Sequence, residues 1–472
     1  MISINSLGFL LFLAVLIPLW FSMHPSRRWM LLLAASLVFY LSDNVFGLIL
    51  ILIVSAVVWQ AAKHATPGNS HAKRWVLLGV LVSLAPLLTL KYYAMFAGTA
   101  NQLFHWNLWD GQGLLQPLGL AYFTLQLIGY LTDVYRGNIA PEPVYARVLC
   151  FSSLFFSITQ GPFLRYGTWM PQLEVPSHFD SHRLWRGSMR MVWGYFKKYA
   201  IAERAAVVVS AAFSSPELYD SSQLLFGTVM FSFQLYADFS AYTDIVLGAA
   251  EILGLQLPEN FRQPFLAATV KELWSRWHIS LSQWFRDYVY IPLGGNRRGT
   301  VRRDGNLIVT FLASGLWHGA NWTYLVWGGL HGVIQAVENH LPWRKRITQF
   351  PARILGILGT FAVFVFTFTI FRADSLTDAV NYFRYLFTTP GMDVFSKYWE
   401  LGLSSRLDLL LLLAGVALLI LVDVLHECGI HLRDRIADCP LPVRWCIYEC
   451  AIFAFLLMGK FFSDGGFLYA RY

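Results

Sequence analysis

The sequence predicts an all-α integral membrane protein, a bundle of helices around a cavity or tunnel, and three observations carry that prediction. Of the 472 residues, 56% are hydrophobic and only 14% charged, whereas soluble domains carry about 25% charged residues. Apolar runs recur from one end to the other: Leu7–Phe21, Val45–Val58, Trp75–Leu90, Ile354–Phe371, Leu407–Val424 and Ile447–Phe462. In the middle of the chain, polar and ionisable residues crowd into apolar, aromatic sequence, where each is costly at membrane depth. A hydrocarbon core of about 30 Å takes roughly 20 apolar residues of helix, fewer in a re-entrant segment. On that rule the chain holds roughly eleven or twelve membrane segments, some broken or re-entrant.

Taken in order, the first apolar run follows a leader, Met1–Ser6, without positive charge, and Arg27-Arg28 come after it. It therefore reads as a retained helix rather than a cleavable signal, with the N-terminus outside and Arg27-Arg28 in the cytoplasm. Residues 1–110 are expected to be outer helices. From 117 to 340 the composition shifts, with Gln160, Arg165, Gln234, Asp238, Asp244, Arg276 and His278 close to apolar segments. A lipid-facing bundle needs none of these, and broken backbone is tolerated at depth only where protein or a wet cavity surrounds it. Residues 117–340 are thus expected to form a catalytic core around a cavity or tunnel, and 350–472 to return to plain helices. The polar connections near 164–190, 257–271 and 372–405 read as interfacial loops and short amphipathic helices. With no internal repeat and no low-complexity segment, one membrane domain over 1–472 is the simplest organisation.

The net charge of +8 comes from short basic loops: Arg297-Arg298, Arg302-Arg303 and Arg344-Lys345-Arg346. These set topology and meet anionic lipid, and nucleic acid is not expected as a partner. The five cysteines form no paired framework and no CxxC. Even with His426 and His431 nearby, their spacing matches no zinc pattern, so no metal is expected. No nucleophile elbow, HExxH or kinase motif is present.

Two stretches carry the chemistry. In Ser314-Gly315-Leu316-Trp317-His318-Gly319-Ala320-Asn321-Trp322, His318 is the side chain best suited to move a proton near neutral pH. On a helix, Asn321 would share its face and could orient the imidazole or a substrate carbonyl. A hydrogen-bonded histidine inside a bundle is the plainer alternative. In Trp274-Ser275-Arg276-Trp277-His278-Ile279-Ser280-Leu281-Ser282, continuing to Phe285-Arg286-Asp287-Tyr288, His278 neighbours Arg276, Arg286 and Asp287, which can pair or bind an anion. An interfacial helix anchored by Trp274, Trp277, Trp284 and Tyr288 is its alternative. Asp238 and Asp244 need partners, most simply in structural ion pairs with Arg, His or helix ends. Gly294-Gly295-Asn296-Arg297-Arg298-Gly299 lacks phosphate-loop spacing and reads as a turn with a basic rim, which could also receive the phosphates of a thioester carrier. His331, between Gly328-Gly329 and Gly332, reads as a packing residue.

Together these motifs resemble the membrane-bound O-acyltransferases, and within them the bacterial branch that O-acetylates alginate and cellulose. The resemblance runs from Pro117-Leu118-Gly119, Tyr122-Phe123 and Gln126 through Asp133-Val134-Tyr135-Arg136-Gly137, Gln160-Gly161-Pro162 and Arg165-Tyr166. It continues in Gln234-Leu235-Tyr236, Asp238-Phe239-Ser240, Tyr242, Asp244, Pro258-Glu259-Asn260-Phe261 and the Trp274–Arg297 block. Ile291-Pro292-Leu293-Gly294-Gly295-Asn296-Arg297 favours polysaccharide acetylation over the related branch that transfers D-alanine to teichoic acid. Gln160, where the polysaccharide branch more often has Ala, and Ala241, where it often has Gly, mark a divergent member.

The resemblance implies that His318 is the catalytic residue, in a tunnel across the membrane, and His278 a second characteristic position. It implies transfer of an acetyl group from a cytoplasmic thioester, acetyl-CoA or an acyl carrier, with no permanently bound cofactor. The product would be an O-acetylated exported polysaccharide. A periplasmic acetyltransferase subunit is the implied partner, and the bacterial inner membrane the implied location. Trp317, Asn321, Gln234, Asp238, Arg286, Asp287 and Arg297 are the expected substrate-binding residues. Two other classes fit the bare composition: a transporter with a proton relay, which would show no thioester chemistry, and a scaffold subunit, in which His318 would be dispensable.

Overall fold

The computed structural model describes residues 3–109, 111, 113–114, 117–341, 350–461 and 467. Arg344-Lys345-Arg346 therefore lie outside the described residues. Among the described residues the chain is helical, and its only extended pairing is an isolated antiparallel bridge between Phe261 and Trp277. Among the described residues, five helices are long and apolar enough to cross a membrane: Val45–His64, Ala72–Phe104, Pro351–Arg372, Arg406–Glu427 and Leu441–Met458. Leu7–Ser22 is a shorter apolar helix. Each overlaps an apolar run read from the sequence. Five is fewer than the eleven or twelve segments expected, because much of the middle of the chain folds as helices too short, broken or polar to qualify by length and composition.

Local chemistry sets the helix ends. The Asn44 side chain accepts from Gly47 N–H at 2.6 Å, and Ser405 accepts from Asp408 N–H at 3.2 Å, each satisfying an orphan donor of a first turn. Pro86 lacks an amide hydrogen, and the ladder widens into a π turn, Leu87–Tyr92, directly after it, the kind of irregularity proline imposes.

The chain divides into two compact units. The first comprises the residues up to Ser188 with Val246–Glu259 and Gln283–Val289. Phe155 anchors part of its core, its ring 5.2 Å from Phe12, 6.1 Å from Phe39 and 6.4 Å from Phe9. Indole donors tie distant segments together: Trp20 Nε1 to the Leu253 carbonyl and Trp284 Nε1 to the Leu125 carbonyl, both at 2.9 Å.

The second unit comprises Met189–Ile245, Asn260–Ser282 and the chain from Tyr290 onward. Its central feature is the helical hairpin Thr300–His318 and Trp322–Glu338. The two helices approach backbone to backbone. A Cβ at Gly315 would collide with the Tyr324 carbonyl oxygen, and one at Gly328 with that of Phe311. Small residues at a helix interface permit this approach, and bulkier ones would force the hairpin apart. The 33-residue helix Ser221–Leu253 begins at Asp220. That carboxylate accepts from Ser222 N–H at 2.8 Å, Gln223 N–H at 3.0 Å and Asp393 N–H at 3.2 Å.

Candidate active site

His318 is the last residue of its helix. The helix stops because Gly319 takes an extended conformation with φ −172°, where a Cβ would collide with the Tyr324 ring. Asn321 then caps the next helix. Its own backbone is extended, its Oδ1 accepts from Thr323 N–H at 3.0 Å, and its Nδ2 donates to the Asp374 carbonyl at 2.6 Å. The expectation that Asn321 shares a helical face with His318 is thus corrected: the helix ends between them. Both ends of the Asn321 amide hold the break in place, which makes Asn321 a positioning residue for the turn that presents His318.

The imidazole of His318 is 5% exposed and enclosed by aromatic rings. Trp317 lies at 4.9 Å, Trp327 at 5.1 Å and Phe371 at 5.5 Å between centroids, all near edge-to-face. Such arrangements align the positive edge of one ring with the negative face of the other.

His278 is 1% exposed and sits at the junction of the short helices Val270–Arg276 and Ile279–Phe285. Trp274, Trp277 and Trp284 are buried with it, so this segment packs inside the protein rather than on an exposed helix face. Its backbone is left-handed, with φ +42°, a conformation that costs a residue with a Cβ roughly 1–3 kcal/mol. A strand-like clasp holds it there. Phe261 bridges Trp277, Arg262 N–H donates to the Arg276 carbonyl at 2.9 Å, and Ile279 N–H to the Asn260 carbonyl at 3.0 Å. The Ser280 hydroxyl donates to Asn260 Oδ1 at 2.5 Å. Strain maintained in this way concentrates at functional positions. The His278 ring meets Phe239 at 4.7 Å and Trp317 at 6.1 Å. Trp317 therefore touches both histidines, and the structure brings together His318, His278 and Trp317.

The intramembrane carboxylates are in ion pairs, as the simplest reading held, but their main partners are lysines that the sequence reading did not single out. Lys198 Nζ lies 2.7 Å from Asp238 and 2.6 Å from Glu203. Lys197 Nζ lies 2.6 Å from Asp244, which Arg190 also meets at 2.9 Å. Both lysines fall in a π turn, Lys197–Ala202. Two adjacent lysines inside Tyr195-Phe196-Lys197-Lys198-Tyr199 were the available signal, since a lysine in apolar sequence demands an acid. Asp238, given to substrate binding from the sequence, is thus engaged in a buried ion-pair triad. Gln234 is buried on the same helix, and its Oε1 has no hydrogen-bond partner among the described residues. Arg276 pairs with Glu427 at 2.7 Å and with Glu272 at 2.7 Å.

His331 packs as expected, with both ring nitrogens engaged. Trp274 Nε1 donates to Nδ1 at 3.3 Å, and Nε2 meets Thr367 Oγ1 at 3.0 Å. Arg297 is exposed on its glycine turn, where Gly294 and Gly295 have φ +113° and +55°, and Asn306 Nδ2 donates to the Gly295 carbonyl at 3.0 Å.

Arg286 and Asp287 belong to the first unit and are described there. Asp287 accepts from Arg165 at 2.8 Å and from Arg286 at 2.7 Å. Arg165 lies over the Tyr288 ring at 4.4 Å, and the Tyr288 hydroxyl donates to Asp133 at 2.7 Å. Asp287 thereby organises two arginines, while most of the Arg286 side chain faces outward, 59% exposed. Among the described residues, no three His, Cys, Asp or Glu side chains gather as a cation site.

The model of the membrane-bound O-acyltransferase family matches residues 36–377. The chain belongs to the membrane-bound O-acyltransferase family. It is similar to a probable alginate O-acetylase of Pseudomonas putida, 34% identical over 394 residues, covering 82% of this chain and 80% of the relative. It is also similar to a peptidoglycan O-acetyltransferase of Helicobacter pylori, 31% identical over 386 residues, 75% of this chain and 72% of the relative. A teichoic acid D-alanyltransferase of Bacillus subtilis is 28% identical over 276 residues, 55% of this chain and 69% of the relative. This family member is therefore a membrane-bound acyltransferase, and the resemblance read from the motifs holds. The matched span includes both histidines, their aromatic enclosure and the lysine–carboxylate pairs.

Proposed function

We propose that this acyltransferase moves an acetyl group from a cytoplasmic thioester, across the bacterial inner membrane, toward O-acetylation of an exported polysaccharide. The observation that carries the reading is the position of His318: at a helix break, buried among aromatic rings, with Trp317 shared with His278. His318 serves as general base. It takes the proton of the acceptor hydroxyl, whose oxygen adds to the thioester carbonyl carbon. The C–S bond then breaks, and the proton passes to the thiolate sulfur, leaving an ester and a thiol. A general base acts best near its own pKa and within hydrogen-bond reach of the proton, and histidine is the side chain whose ordinary pKa lies closest to neutrality. Exclusion of water by Trp317, Trp327 and Phe371 protects the thioester from hydrolysis.

His278 orients the reacting groups from the clasp that fixes its backbone. The exposed Arg297 loop receives the phosphates of acetyl-CoA or of an acetyl carrier thioester. The family match draws residues from both units, which supports treating the chain as one functional domain. Relatives named for O-acetylation of alginate and of peptidoglycan, each similar over three quarters or more of this chain, support acetyl as the group moved and a cell-envelope glycan as its destination. A periplasmic acetyltransferase subunit completes the transfer outside. Cells carrying wild-type protein or His318→Ala provide the test, read as acetyl content of the exported polysaccharide. The expected result is loss of acetyl with the variant still inserted in the membrane. Normal acetyl content would overturn the reading in favour of a scaffold or transporter.

A further inference from the structure

Trp327 is 1% exposed, and its indole is wedged into the aromatic enclosure of His318. It lies 5.1 Å from the rings of both His318 and His331, 5.5 Å from Trp274, 5.3 Å from Phe368 and 5.1 Å from Phe371. Rings therefore pack against it from several sides, yet its Nε1–H has no hydrogen-bond partner among the described residues. Indole nitrogen is a donor only. A buried donor left without an acceptor is costly, and such groups are rare enough in native structures that each calls for an explanation.

The contrast with Trp274 sharpens the point. Trp274 packs in the same cluster and donates to His331 Nδ1 at 3.3 Å. The other His331 nitrogen is taken by Thr367, so His331 has no acceptor left for Trp327. Asn321, the amide expected to serve the substrate carbonyl, is engaged at Thr323 and Asp374. An unmatched donor in the ring enclosure of His318, among the described residues, is the Trp327 indole. What it lacks is an acceptor atom, and an acyl carbonyl brought to His318 supplies one.

We propose that the Trp327 N–H donates a hydrogen bond to the acyl carbonyl oxygen and stabilises the negative charge that develops on it. The inference rests on the acyl-transfer reading above. As the acceptor oxygen bonds to the carbonyl carbon, the C=O pair moves onto the carbonyl oxygen held by Trp327, and the hydroxyl proton goes to His318. The C=O bond then re-forms, the C–S bond breaks, and the proton passes to sulfur. A donor held rigidly in a dry site needs no reorganisation at that moment, which is where such groups contribute most to rate.

The test uses full-length protein in liposomes with labelled acetyl-CoA, first as wild type and then with two replacements of Trp327. Trp327→Phe keeps an aromatic ring and removes the donor. Benzothienylalanine keeps the bicyclic shape, with sulfur in place of N–H, and decides the matter should Trp327→Phe misfold. Removing one such donor lowers kcat by about 100- to 1,000-fold, with KM changed by less than about threefold, because the bond strengthens mainly in the transition state. A benzothienyl protein with wild-type kcat would overturn the proposal, as would one that loses only KM. Wild-type protein that transfers acetyl from no thioester would overturn the acyl-transfer reading itself and this inference with it.

Discussion

Lys198 is the position where the structure makes its most quantitative claim about stability. Its ammonium sits between Asp238 at 2.7 Å and Glu203 at 2.6 Å, with side-chain exposures of 2%, 2% and 7% for Lys198, Asp238 and Glu203. Replacing Lys198 by Met keeps much of the volume and removes the ammonium between the Asp238 and Glu203 carboxylates. Removing one partner of a buried pair costs about 3–5 kcal/mol, because the other charge stays buried and uncompensated. Asp238→Asn leaves Lys198 with Glu203 and keeps a hydrogen-bonding amide, so its cost is smaller. Unfolding entropy near 2.1 cal/mol/K per residue gives about 1 kcal/mol per degree for a chain of this length. Lys198→Met should therefore lower the unfolding midpoint by about 3–5 °C, Asp238→Asn by less. Thermal unfolding in detergent, followed by tryptophan fluorescence, measures both. Lys198→Met as stable as wild type, or less damaging than Asp238→Asn, would refute the argument that the triad depends on its cation.

Two further predictions come from the helix cap and the strained turn. Burial alone would raise the Asp220 carboxyl pKa, but the Ser222 hydroxyl and the Gln223, Asp393 and Ser222 amides outweigh it and hold the pKa below the ordinary carboxylate value. A folded pKa below the unfolded one gives stability that is present above about pH 4 and lost as pH falls through the folded value. The stability gap between wild type and Asp220→Ala, about 0.5–2 kcal/mol near neutrality, should narrow as pH falls below about 4; a gap unchanged on acidification would contradict the cap. At His278, with φ +42°, Gly relieves the strain and a β-branched residue aggravates it. His278→Val should therefore be about 1–3 kcal/mol less stable than His278→Gly, while neither supports acyl transfer. Equal unfolding midpoints for the two would show that the left-handed turn is not a constraint.

The sequence made some of this legible and hid the rest for physical reasons. Composition and the apolar runs sufficed for an all-α membrane protein, since length and hydropathy are local properties. His318, His278 and Trp317 were found because their polar groups stand out in aromatic sequence, and the structure brings all three together. The break at Gly319 was not legible: it depends on Tyr324, five residues on, filling the space a Cβ would need. Without that contact, spacing alone puts Asn321 on the face of His318. The lysine partners of Asp238 and Asp244 were hidden because the pairing joins elements some 40 residues apart, at separations of 40 and 47. Trp327 looked like one more apolar aromatic. Only its ring neighbours and its unmatched N–H distinguish it from Trp274.

The most direct test of the central claim is acetyl transfer by purified protein in liposomes with radiolabelled acetyl-CoA, comparing wild type with His318→Ala. Label transferred or released by wild type, and none by a correctly folded His318→Ala, is the result expected of a general base at the helix break. Equal label from both proteins would contradict it, because a thioester attacked without His318 would place the chemistry elsewhere in the chain.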